Sequence, residues 1–304
     1  MPILGSSASQ NTKSFLQVLG AYFAGGTGAA TIADIDKISF AADTKSTLAA
    51  TLTTPTLGHG GAANSGTAAY FAGGSGAANY SRIDKIAFAA DTKSTISATL
   101  TTVRYALAGA ANSGTAAYFG GGYDSSTSYV NGIDKIAFAA DTKSTLAATL
   151  TSSAHFQGTA ANSGTAAYFA GDGTGIDKIT FSADTKTVLA ATLTSSLTRL
   201  AGAANSGTAA YFAGGSPVTS RLDKIAFSAD TKSTISATLT SARYGLTGAA
   251  KSGTAAYFGG GNDATNAQSN IDKIAFSADT NTTRAATLSV PIFYFAAAAN
   301  SGTL

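Results

Sequence analysis

The sequence predicts an all-β fold of six four-stranded antiparallel blades closed into a ring, and three observations carry that prediction. First, the phrase IDKIxFxADTKS recurs six times with small variations. Its Asp-Lys core falls at Asp36-Lys37, Asp84-Lys85, Asp134-Lys135, Asp177-Lys178, Asp223-Lys224 and Asp272-Lys273, so successive copies lie 48, 50, 43, 46 and 49 residues apart. A period of this size belongs to solenoids, propellers and arrays, where each unit buries its apolar face against its neighbours. Second, each period holds four short strand signals and no helical periodicity. Third, the ends are complementary. The first aromatic strand signal, Tyr22-Phe23-Ala24-Gly25-Gly26, lacks the GAANSGT segment that precedes the others, and Ala298-Ala299-Asn300-Ser301-Gly302-Thr303 is that segment without a following aromatic strand. The C-terminal strand, over Ala297–Thr303, is therefore expected to pair beside Val18–Gly25, which removes the edges an open array would expose.

One repeat justifies each element in order. Gly109-Ala110-Ala111-Asn112 is a strand of small residues, as the crowded axis of a ring requires. Ser113-Gly114 is a turn pair. Thr115 to Gly121, TAAYFGG, is a second strand stopped by glycines. Gly122 to Gly132 is variable. Ile133 to Phe138, IDKIAF, is a third strand, followed by a polar turn at Ala140-Asp141-Thr142-Lys143-Ser144. Asp suits such a turn because its carboxylate accepts local backbone N–H bonds. Thr145 to Thr151, TLAATLT, alternates Leu146, Ala148 and Leu150 with smaller residues, the period-2 mark of a half-buried outer strand. The repeat runs over residues 18–304, and residues 1–17 carry no repeat element and read as an attachment leader.

Composition excludes several function classes. Charged residues are 12% of the chain, and the 16 acidic residues are all Asp. The formal net charge of +3 is small and dispersed, so no nucleic-acid footprint is expected. The absence of Cys removes disulfides, thiolate metal sites and a cysteine nucleophile. No apolar run approaches the ~18 residues a membrane-spanning helix needs, and no membrane insertion is expected. Nor does Met1 to Ser14 have the basic and apolar regions of a secretory signal peptide.

The order of small inner strand, YFxGG, variable loop, Asp-bearing third strand and outer strand resembles the kelch-like, galactose-oxidase-like propellers. The matching residues are Gly25-Gly26, Gly73-Gly74, Gly120-Gly121, Gly214-Gly215 and Gly259-Gly260; the fourth repeat departs with Gly171-Asp172, and the chain has no Trp. The resemblance implies architecture. The copper chemistry of that group needs a Tyr-Cys crosslink and histidine ligands, and this chain has only His59 and His155. The leader Met-Pro-Ile-Leu-Gly-Ser-Ser-Ala-Ser-Gln-Asn (residues 1–11) resembles the start of tail-fibre and other virion proteins of tailed bacteriophages, which implies docking of residues 1–17 on other virion proteins.

No catalytic residue, cofactor or metal site is expected. The aspartates recur once per repeat at each of two places, whereas a catalytic site needs a unique convergence of different groups. The Asp-Lys pair reads as an ion pair, between blades or in solvent. The turn residues Asp43, Asp91, Asp141, Asp184, Asp230 and Asp279 read as turn caps rather than calcium ligands. Lys251 in GAAKSGT reads as a strand-to-strand turn.

The contrast between frame and loops is more informative. In a propeller the loops joining strands two to three and four to one share one face. They vary throughout, whereas NSGT and ADTKS on the other face barely change. Five of the six Arg lie on the variable face: Arg82, Arg104, Arg199, Arg221 and Arg243. So do the six Tyr outside the YF strands, Tyr80, Tyr105, Tyr123, Tyr129, Tyr244 and Tyr294, with Asn79, Asn131, Phe156, Asn262, Asn266, Gln268, Asn270 and Phe293 around them. Tyr and Arg beside Asn and Ser compose adaptable recognition surfaces, including those that bind sugars. The two Arg-Tyr pairs, Arg104-Tyr105 and Arg243-Tyr244, occupy equivalent places and are the leading anchor candidates, with local packing between blades as the alternative. The expected function is a non-enzymatic structural and recognition protein of a bacteriophage virion, in a tail fibre or surface appendage. Its variable loops would face a host receptor, a glycan or a neighbouring virion protein; the alternative is a bacterial secreted or surface lectin-like kelch module.

Overall fold

A computed structural model describes residues 19–124, 128–151, 155–284 and 286–301. The leader, Val18 and residues 302–303 of the expected closing segment lie outside them. Six four-stranded antiparallel sheets form the six blades. Blade 1 runs outward from Ala296–Asn300 through Gly20–Ala24 and Ile35–Ser39 to Lys45–Thr47. Blade 2 comprises Gly60–Asn64, Ala68–Ala72, Ile83–Ala87 and Thr92–Thr95. Blades 3 to 6 repeat this order, with innermost strands Ala108–Asn112, Gly158–Asn162, Ala201–Asn205 and Thr247–Lys251. The ring closes through Gly20↔Asn300 to Ala24↔Ala296, so the last strand of the chain is the innermost strand of the first blade.

The outer strand differs from expectation. It is TKST, Thr142–Thr145 in blade 3, so the turn is shorter and the strand begins inside the expected polar stretch. Residues 146–151 instead form the connection to blade 4, in which Leu146 and Leu150 are buried. Their spacing of four reports packing against the next blade, not a sheet face. The outer strands are mostly exposed and five carry a Lys (Asn281 stands in blade 6), a composition that discourages pairing with another edge.

Alternation along the strands decides how blades join. In each YF pair the Tyr side chain faces the next blade and the Phe the preceding one. Tyr22, for example, packs on Phe88 of blade 2, and Phe23 on Phe295 of the blade 6 to blade 1 linker. Each of the six apolar clusters consequently lies between two blades; one joins Tyr22, Ile35 and Leu52 to Phe71, Ile86 and Phe88.

The repeated charges follow the same rule. Asp and Lys of IDK are consecutive on a strand, so they point to opposite faces and do not pair with each other. Lys37 and Tyr22 both reach Asp91 in the 3–4 turn of blade 2, at 2.8 and 2.6 Å. Equivalent Tyr-Asp-Lys clasps centre on Asp141, Asp184, Asp230 and Asp279, and Tyr257 and Lys273 reach Asp43 to complete the circle. The turn aspartates are thus inter-blade acceptors, held in left-handed backbone at φ near 50°. The IDK aspartates face the other way. Asp84 accepts both the N–H and the hydroxyl of Thr53 in the preceding linker, and Thr101, Thr151, Thr194, Thr240 and Ser289 do the same for their own Asp. Around the axis, Asn64, Asn112, Asn162, Asn205 and Asn300 each accept a Gly N–H of a neighbouring NSGT turn, or of the equivalent KSGT turn in blade 6 for Asn205.

Candidate functional site

The linkers from each outer strand to the next inner strand meet at the axis on the variable face. Three consecutive positions in each have fixed tasks. The first points down between blades, where Thr56, Arg104, Leu197, Arg243 and Ile292 are all buried. Its carbonyl is gripped by the second residue of the turn after the YF strand, as in Gly74 N–H to Arg104 O and Gly215 N–H to Arg243 O, both 2.9 Å. Glycine is needed in these turns: a Cβ on Gly73 would stand 2.6 Å from the Arg104 carbonyl oxygen. In blades 3 and 6 the left-handed pair is Gly121-Gly122 and Gly260-Gly261, one residue beyond the expected pairs, because Gly120 and Gly259 still belong to strands.

The third linker position is Gly58, Ala106, Phe156, Arg199, Gly245 or Tyr294, and all six have φ between 50° and 66°. Their backbones form a chain round the axis. Ala106 N–H donates to Gly58 O, Phe156 to Ala106, Gly245 to Arg199, Tyr294 to Gly245 and Gly58 to Tyr294, at 2.5 to 2.8 Å. This geometry suits glycine. An aromatic or Arg side chain there is uncommon and costs ~1 kcal/mol or more. Phe156 and Tyr294 arise three linkers apart, on opposite sides of the axis, and their rings stack across it with centroids 4.3 Å apart. The glycines make room for these rings; a Cβ on Gly245 would stand 2.8 Å from the Tyr294 ring.

The second position contributes Leu57, Tyr105, His155, Thr198, Tyr244 and Phe293, and extends the aromatic surface outward. On one side Tyr105 stacks on Tyr123, with which it pairs in a short ribbon. Tyr123 meets Tyr129 and His155, and His155 meets Phe156. On the other side Tyr294 meets Phe293 and Tyr244, and the Arg199 guanidinium lies 5.6 and 5.5 Å from the Tyr244 and Tyr294 ring centroids. The result is one continuous aromatic band across the mouth of the axial channel. Tyr129 is its most exposed member at 50%. Beside the band, Phe156, Arg199 and Tyr294 line a cavity of about 110 Å³ with small inner-strand residues beneath them.

The sequence-derived candidates divide in two. Tyr105, Tyr123, Tyr129, Arg199, Tyr244 and Tyr294 come together in the band. Arg104 and Arg243 do not present their side chains on the face. Arg104 is buried against Asp134 at 2.9 Å and donates to the Phe119 and Gly132 carbonyls, while Arg243 is fully buried against Asp272 at 2.6 Å and the Phe258 carbonyl. Local packing, the alternative for the two pairs, describes these Arg but not their Tyr. Arg82 lies over the Tyr80 ring at 3.8 Å and bonds Thr54, and Arg221 donates to Ser195 at 3.0 Å; both brace linkers away from the mouth. Phe156 and His155 are the residues a search for Arg and Tyr underrates.

His59 follows Gly58 at the place filled elsewhere by Leu107, Gln157, Leu200, Leu246 and Phe295. It is buried against Phe71. Burial pushes its pKa down to about 4, with the Ala24 backbone and the Asp84 carboxylate opposing that shift and Arg82 adding to it.

No protein-family model and no curated protein matches the sequence. The solved structure of YjhT superposes with a TM-score of 0.71 at 12% identity, covering 88% of this chain and 98% of that one. At that identity the likeness is one of fold. With the six sheets and the closing strand, it establishes the chain as an all-β, six-bladed β-propeller.

Proposed function

We propose that the protein is a non-enzymatic recognition propeller that binds a cell-surface glycan at the axial mouth of its variable face. One observation carries the reading. At six equivalent left-handed positions where glycine fits best, three hold Phe156, Arg199 and Tyr294, and these side chains converge on one cavity. Strain of this kind persists where the surrounding structure holds it, and it concentrates at ligand-binding sites. Aromatic faces match the apolar faces of sugar rings, and the rigid Tyr and Phe anchors lose little rotamer entropy on binding. A scaffold role for the repeated aspartates supports the absence of catalysis, since each of the twelve is engaged with a neighbouring blade.

The carrier we propose is a bacteriophage virion, as a tail fibre or surface appendage, with residues 1–17 docked on other virion proteins. The sequence of the leader and the Gly-, Ala-, Ser- and Thr-rich composition support it. A bacterial surface or secreted lectin-like module of kelch type would use the same site on a different carrier, and a map of the particle or cell envelope containing this chain separates the two. The binding test is a glycan array probed with the full chain and with Phe156→Ala and Tyr294→Ala. Loss of at least tenfold in affinity for both variants, with melting temperatures near that of the parent, is expected. Binding that survives both substitutions places the ligand elsewhere.

A further inference from the structure

Arg199 differs from every other arginine among the described residues. Arg104, Arg243 and Arg284 pair with Asp134, Asp272 and Asp43, Arg82 lies beside Asp84, and Arg221 donates to Ser195. Arg199 has neither an ion pair nor a side-chain hydrogen bond among the described residues; its Nε is buried without a partner, as are those of Arg104, Arg243 and Arg284, but their other nitrogens reach a carboxylate and its do not. It is instead held between the Tyr244 and Tyr294 rings. Among the described residues lining the mouth it is the only Arg, Lys or Asp. Asp172, whose charge acts on His155 and Tyr123, forms no ion pair with Arg199 among the described residues. A buried donor without an acceptor is destabilising, and an incoming anion relieves it. The guanidinium fork matches a carboxylate in two parallel N–H···O bonds, and the flanking ring faces lower the local dielectric and strengthen them. The cavity of about 110 Å³ is well below the ~300–1,000 Å³ of pockets for drug-sized ligands, which limits any occupant to a small group or one unit of a longer chain.

We infer that the mouth selects an acidic saccharide, with Arg199 receiving the carboxylate of a uronic acid residue while the adjoining aromatic band, with Tyr244 and the Phe156–Tyr294 stack, contacts the sugar. This rests on the glycan-binding reading above. Titration calorimetry of the full chain with trigalacturonate, and with trigalacturonate methyl-esterified on every carboxylate, tests it. The acid form is expected to bind at least tenfold more tightly, and Arg199→Gln to abolish that difference with an unchanged melting temperature. Arg199→Gly, which suits the left-handed backbone, gives the same readout should the Gln variant fold poorly. Equal affinity for the two forms, a preference that survives both variants, or no binding of either form overturns the inference. The glycan-binding reading then stands if a neutral glycan on the array binds in a Phe156- and Tyr294-dependent manner, and falls with it if none does.

Discussion

Replacing Arg243 by alanine removes one half of a fully buried ion pair whose other half, Asp272, is equally buried. Breaking such a pair from one side costs ~3–5 kcal/mol, because the remaining charge stays desolvated. Asp272 keeps other donors, the Thr240 N–H and hydroxyl and Asn281 Nδ2, so the expected cost lies near the lower end, about 3 kcal/mol. At ~2–4 °C per kcal/mol for a domain somewhat smaller than this one, that is a fall of roughly 5–10 °C. The molecule contains its own control. At the equivalent place before blade 5, Leu197 fills the space, and the buried Asp223 is satisfied by the Thr194 pair with no arginine. Arg243→Leu is therefore expected to cost about 2 kcal/mol, less than Arg243→Ala because leucine fills most of the space alanine leaves, while Asp272 loses the same partner in both. Calorimetry or urea unfolding of the two variants, with glycan binding measured alongside, checks both numbers. An Arg243→Ala variant that keeps its melting temperature and loses binding would refute the staple role and restore Arg243 as a contact residue.

Other consequences follow from the same geometry. Deleting residues 296–301 removes the inner strand of blade 1 and should lower the melting temperature sharply; an unchanged value would sink the closure. Burial and the hydrogen bond to Asp raise Tyr70 and Tyr211 to about 12. For Lys85 and Lys224, burial disfavours the charge, but the Asp and Tyr bonds outweigh it and raise the pKa. The tyrosines contribute stability below their unfolded pKa near 10 and lose it as pH rises through about 12, and the raised lysines lose theirs in the same direction. Urea midpoints should accordingly fall from pH 10 upward, and a flat profile would contradict the clasps. His59, lowered to about 4, has the opposite sign: its contribution is whole above pH 6.5 and is lost as pH falls toward 4, by about 3 kcal/mol. His59→Leu, which restores the residue of three sibling linkers, should flatten that acid limb in unfolding curves at pH 5. Tyr105→Ala and Tyr244→Ala, at the two flanks of the band, should weaken glycan attachment with little change in melting temperature.

Blade number, strand order and ring closure were legible in the sequence because they depend on what is repeated. The period, the YF strands, the NSGT turns and the unmatched ends are local patterns, and six near-identical copies of a pattern must share one local structure. The outer strand was misplaced because Leu146 and Leu150 alternate as a strand would, while their burial comes from the adjacent blade. Sequence also put the variable loops on one face, and six of the eleven named candidates, Tyr105, Tyr123, Tyr129, Arg199, Tyr244 and Tyr294, meet there. It could not tell Arg199 from Arg104 or Arg243, since all three are arginines in linkers of similar length. Only the tertiary structure decided that the first linker position points between blades toward an aspartate and the third toward the axis. The reason is physical. A linker's direction is set by left-handed backbone and by a carbonyl gripped from the neighbouring blade, and both depend on residues some 30 positions away in the chain.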